Sequence, residues 1–202
     1  MTIFATRTSV LAFLFGNIFP LQILFGQYGF ENPSFEGVQG EGLTPPGWFV
    51  CGIGSTPDVL PGAWEVLAQP SDGNAYLGLI TREDGTWESV GQRARQILRA
   101  KECYTFSVNL ARSVTYAGFN LPVRLRVWGG YERCKKDELL ADSGLINHGD
   151  WQKYSFEFYP KQNVRYLIFE AFYARGTTFP YRGNILIDKL SPLKSCFRAS
   201  LY

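Results

Sequence analysis

Apolar and polar residues alternate along much of this chain with a period of two. Across residues 103–113, Tyr104, Phe106, Val108 and Leu110 fall on one side, with Thr105, Ser107, Asn109 and Ala111 on the other. Successive side chains of a strand point to opposite faces, so this is the pattern of a half-buried strand. Residues 122–129 repeat it, with Val123, Leu125 and Val127 inward and Arg124, Arg126 and Trp128 outward. Residues 151–159 place Tyr154, Phe156 and Phe158 on one face, the largely apolar run 164–173 predicts a strand buried for much of its length, and 184–190 predicts the last. Earlier strands are predicted at 30–35, 64–67, 75–80 and 88–95. Clusters of Gly and Pro divide these runs, and the one helical signal is a turn at 136–141. Nine short strands separated by turns predict an all-β fold, an antiparallel β-sandwich of the jelly-roll type. No repeat or linker interrupts the pattern, so residues 27–202 read as a single β-sandwich domain.

The first 26 residues read differently. Arg7 is their only charge, and a mostly apolar run from Val10 to Phe25 is broken by Asn17, Pro20 and Gln22. A lasting transmembrane helix wants about 20 largely apolar residues. A basic start, an apolar stretch and a small residue are the marks of a secretory signal peptide. Residues 1–26 are therefore expected to be a signal peptide cut after Gly26, with an uncleaved membrane anchor as the competing reading. The expected location is secreted, or at the cell surface or periplasm, with no membrane span after signal removal.

Composition adds exclusions. A formal net charge of +2 over 202 residues gives no support to a nucleic-acid surface. Arg93, Arg95, Arg99 and Lys101 read as a solvated strand edge. The four cysteines, Cys51, Cys103, Cys134 and Cys196, all follow the signal. An even number in an exported chain predicts disulfides, here two, and four cysteines allow three pairings. The only histidine, His148, lies in a polar run and reads as a turn residue, so neither a nucleophile–histidine arrangement nor a histidine-rich zinc site is expected. The acids Glu83, Asp84, Glu88, Glu170 and Asp188 show no spacing that marks a catalytic pair, which leaves a glycoside hydrolase as the weaker alternative.

A series of short motifs then falls in a recognisable order: Asn32-Pro33-Ser34-Phe35-Glu36, Gly47-Trp48, the run 71–78, Val90-Gly91-Gln92, Tyr104-Thr105-Phe106-Ser107, Trp151-Gln152-Lys153-Tyr154 and Ile185-Leu186-Ile187-Asp188. The series resembles galactose-binding-like jelly rolls, in particular carbohydrate-binding modules of the family 4/9 type. Thr56-Pro57-Asp58, with the runs 76–79 and 109–113, is also similar to exported proteins of Bacteroidota. The resemblance implies a structural calcium at Glu36 and Asp188; the competing reading is that both carboxylates simply accept backbone hydrogen bonds at strand ends. It also implies a non-catalytic carbohydrate-binding or adhesion module. Its partner would be a glycan or cell-surface polysaccharide. The alternative is a structural module that contacts another surface protein.

Sugar recognition needs flat aromatic faces and polar companions. Candidates in turns or on outward faces are Trp48, Trp87, Tyr116 and Trp128, with Asp58, Arg82, Glu83, Asp84 and Arg126 beside them. The segment 81–87 packs three charges and an indole between two strands, and strand alternation puts it at the same end as 113–121. For each aromatic the alternative is a partly buried ring with its polar tip bonded at the rim, which suits Trp48 and Trp151 best.

Overall fold

The computed structural model describes residues 29–196; the signal-peptide expectation for 1–26 lies outside them. Twelve strands form two sheets. Five strands make one sheet: β1 (Phe49–Val50), β4 (Ser89–Leu98), β10 (Val164–Phe172), β7 (Arg124–Gly130) and β8 (Glu138–Leu145), in that spatial order. The other runs β12 (Lys194–Ser195), β5 (Tyr104–Ala111), β11 (Gly183–Asp188), β3 (Tyr76–Thr81) and β2 (Asp58–Leu60), with β6 (Leu121–Pro122) on β11 and β9 (Gln152–Phe158) on β5. Every pairing is antiparallel except β6 with β11. The chain is an all-β sandwich.

Alternation builds the core. Phe106, Val108, Leu110, Leu77, Leu79, Ile185 and Ile187 face Val90, Leu125, Val127, Leu167, Phe169 and Ala171 across the two sheets. Each Val, Leu, Ile or Phe among them contributes about 1.5–3 kcal/mol by leaving water. A smaller cluster, including Leu60, Tyr76, Tyr116 and Leu186, lies apart from this core. It belongs to the other face of the seven-stranded sheet, which explains why Ala111 is buried although it alternates out of phase with the main core.

Some predicted strands are not strands. Residues 30–35 form a turn in which Asn32 and Phe35 take positive φ of 47° and 54°. The Asn32 side chain accepts the Glu36 N–H and donates to the Glu36 carbonyl, a local alternative to a ladder. Residues 64–67 also form no strand, and Trp64 and Glu65 have φ of 52° and 60°. The turn expected at 136–141 is instead where edge strand β8 begins.

The disulfides pair Cys51 with Cys134 and Cys103 with Cys196. The first has a topological effect. β1 lies at one side of the five-stranded sheet and β7 near the other, with β4 and β10 between them. The segment after β7 crosses that gap as a strap: Arg133 sits over the Phe49 ring at 4.2 Å, and Cys134 reaches the bridge beside β1. Ile168, which alternates away from the main core, is fully buried all the same.

Candidate functional site

Most of the candidate residues gather in two places. The first is a cleft of about 370 Å³ beside edge strand β2, lined by Glu41, Gly42, Thr56, Asp58, Trp64, Ile80, Arg82 and Phe119. Asp58 forms its base and is only 3% exposed. Its Oδ1 accepts the Gly42 N–H at 2.8 Å, and its Oδ2 accepts the Tyr116 hydroxyl. Tyr116 reaches Asp58 across Gly78, the cross-strand partner of Asp58; a Cβ on Gly78 would stand 2.9 Å from the Tyr116 hydroxyl oxygen. Burial raises the Asp58 carboxyl above its ordinary value, against the pull of these hydrogen bonds. Burial also raises the Tyr116 hydroxyl, so it stays protonated and donates.

Trp64 is 40% exposed and meets Phe119 edge to face, with ring centroids 6.2 Å apart. Its left-handed backbone is held by the neighbouring loop: Ala117 donates to the Trp64 carbonyl at 3.0 Å and Thr115 Oγ1 to the Glu65 carbonyl at 2.8 Å. Arg82, at the end of β3, bonds Glu88 Oε1 at 2.5 Å and Thr56 Oγ1 at 3.2 Å. Glu88 is fully buried and also accepts the N–H groups of Thr56 and Ile80. Desolvation lifts its carboxyl to about 7, opposed by Arg82.

The second place is the outer face of the five-stranded sheet, where Trp87, Arg126 and Trp128 surround Glu170. Arg126 donates to Glu170 from Nε at 2.7 Å, the Trp128 indole N–H at 3.0 Å, and Lys136 of the strap pairs with its second oxygen. Arg126 also lies over the Phe172 ring, and Trp87 meets the same ring edge to face. Glu170 is fully buried, so its charge is matched inside the protein. A shallower hollow of about 230 Å³ remains beside Trp87 and Lys136, lined also by Ile53 and Ser89.

The remaining candidates stand apart. Trp48 is a core residue, not an outward platform: its ring packs on Phe35 at 4.8 Å and its N–H donates to the Asn32 carbonyl. Tyr116, although it bonds Asp58 beneath the first cleft, is 1% exposed and offers no open face. Glu83 pairs with Arg182 at 2.7 Å on the surface. Asp84 caps its own turn by accepting the Thr86 N–H and hydroxyl, and these bonds lower its carboxyl. Arg182 also lies over Phe119, so segments 81–87 and 113–121 do share an end of the sandwich. His148 shares its nitrogens between the Asp150 carbonyl and the Tyr154 hydroxyl and bonds no serine or cysteine.

Glu36 and Asp188 both hold the turn at 71–75. Glu36 Oε1 accepts from Asn74 and Ala75, Asp188 Oδ2 from Ser71 and Asp72, and Asp188 Oδ1 from Lys189. A calcium ion wants six to eight oxygens. Here three of four carboxylate oxygens face N–H donors. Among the described residues the only trio of acidic, His or Cys ligand atoms within 4.8 Å is Cys103, Glu157 and Cys196, whose sulfurs form a disulfide. This donor set does not fit a calcium cage.

Trp64, Glu41, Thr56 and Phe119 were not among the sequence candidates. The apolar run 64–67 reads as a strand, but Pro61-Gly62 just before it marks a turn that presents the ring.

No known family model matches this chain, and no curated protein matches it. Solved structures do. The xylan-binding CBM22-1 domain of Paenibacillus barcinonensis Xyn10C matches with a TM-score of 0.50 and 18% identity, over 82% of this chain and 93% of that domain. An arabinose-bound α-L-arabinofuranosidase matches with a TM-score of 0.56 and 14% identity, over 85% of this chain but 27% of that one. A Clostridium thermocellum xylanase 10B fragment with CBM22-1 and GH10 modules, complexed with xylohexaose, gives 0.50 and 14%, over 87% and 30%. The chain thus spans under a third of either enzyme chain. At these identities the likeness is one of fold: the β-sandwich is shared with a xylan-binding domain. Among the described residues, no helix is long and apolar enough to cross a membrane.

Proposed function

We propose that this chain is an exported, non-catalytic binding module that takes a glycan in the cleft beside β2. The observation that carries the reading is Trp64, a partly exposed ring standing over the polar groups of Asp58, Thr56 and Arg82. An indole face stacks on the C–H face of a pyranose, and carboxylate, hydroxyl and guanidinium groups bond its hydroxyls. The two disulfides suit an oxidising compartment. The shared fold with a xylan-binding domain makes xylan a sensible first ligand to try. A non-catalytic role is favoured because Glu88, the neighbouring buried acid, is shut behind Arg82 and Thr56 and does not line the cleft.

The test is retention on immobilised polysaccharides, comparing the wild type with Trp64→Ala. Binding to at least one polymer that falls at least about tenfold in the variant, with an unchanged melting temperature, is the expected result. Equal binding by both proteins would place recognition elsewhere.

A further inference from the structure

The charges around this cleft do not balance. Among the described residues one cation lines it, Arg82, and it already has a carboxylate, Glu88 at 2.5 Å; Arg182, over the neighbouring Phe119 ring, is likewise paired, with Glu83 at 2.7 Å. Asp58 and Glu41 also line it, and neither forms an ion pair with another described residue. Asp58 is nearly buried, and the donors bonded to it are neutral: the Tyr116 hydroxyl and the Gly42 N–H. Buried carboxylates are normally paired, and this one sits at the base of an open, aromatic-walled hollow. A cation entering there would meet two acids that have no described cationic partner and the face of Trp64, where cation–π attraction adds to the ion pair.

We infer that the glycan recognised here carries free amino groups, as in a deacetylated hexosamine polymer. The inference rests on the proposed glycan reading and narrows it to a ligand class. An N-acetyl group removes the positive charge and adds bulk where the cleft offers carboxylates, so the acetylated form should bind less well. Neutral xylose polymers supply no counter-charge and should also bind more weakly.

The experiment is calorimetric titration at neutral pH with three ligands of matched length: a glucosamine oligosaccharide, its fully N-acetylated form and a xylo-oligosaccharide. The expected result is about tenfold tighter binding of the free-amine form, weakened by added salt. Glu41→Gln, an exposed substitution, should reduce that preference several-fold, and Asp58→Asn, if folded, should abolish it. Equal or tighter binding of the acetylated or xylose ligand overturns the amine inference and leaves glycan binding standing. Binding of none of the three, alongside no retention on any polysaccharide, overturns both. A preference untouched by Glu41→Gln and by Trp64→Ala also overturns it, because recognition then lies outside this cleft.

Discussion

At the residue scale, buried acids dominate the electrostatics. Glu88 and Asp188 are fully buried, and desolvation raises their carboxyls to about 7 and about 6. A carboxyl whose pKa is higher folded than unfolded holds its proton more tightly in the folded state. Its contribution therefore favours folding at low pH and is lost as the pH rises through the folded value. For Glu88 the window runs from the ordinary 4.5 to about 7. Melting temperature is expected to fall as pH rises across that window, and Glu88→Gln should flatten that slope while lowering the overall midpoint by stranding one donor. A melting temperature that climbs steadily through the same range, with the same slope in Glu88→Gln, would refute this. Composition could not reveal these shifts, because they depend on which carboxylates the sandwich seals in.

At the element scale, the strands with clean alternation were legible. β5, β7, β9, β10 and β11 lie where the period-two pattern put them, because one face of each meets the core. The pattern failed where side chains pack around turns. Phe30 and Phe35 are as apolar as any strand residue, yet they plug one end of the sandwich against Trp48. Short edge elements such as β1, β2 and β12 carry too few residues for alternation to register. The cleft was half legible for the same reason: Asp58 and Arg82 stand out as polar groups near turns, but Trp64 is hidden by its place in an apolar run. The strap was not legible, since spacing does not choose among cysteine pairings. Breaking it by Cys51→Ser with Cys134→Ser should destabilise the domain by about 2–5 kcal/mol, because the bridge closes a long loop. Denaturant unfolding measures this, and a loss under about 0.5 kcal/mol, the level of an ordinary surface change, would show the strap to be ornamental.

At the scale of the whole molecule, the β-sandwich expected from the motif order is the fold found, with two sheets enclosing one main core, while nothing ties the chain to family 4/9 modules in particular. The expected calcium is where motif and geometry part. Glu36 and Asp188 sit together at the 71–75 turn, but backbone N–H groups already fill the role a cation would have. Adding calcium, or stripping it with a chelator, is expected to leave the melting temperature unchanged. A rise of several degrees with calcium would show that this turn rearranges to take the ion.

The Cys51–Cys134 bridge has a practical corollary. Cys51 begins the segment that delivers Ser55 and Thr56 to Ser89 and Glu88, and Thr56 is one wall of the cleft. Protein prepared in a thiol-rich host, or assayed with dithiothreitol in the buffer, would keep its sheets yet have a slack wall beside Asp58. A negative binding assay on such a preparation would then report the redox state of the cysteines.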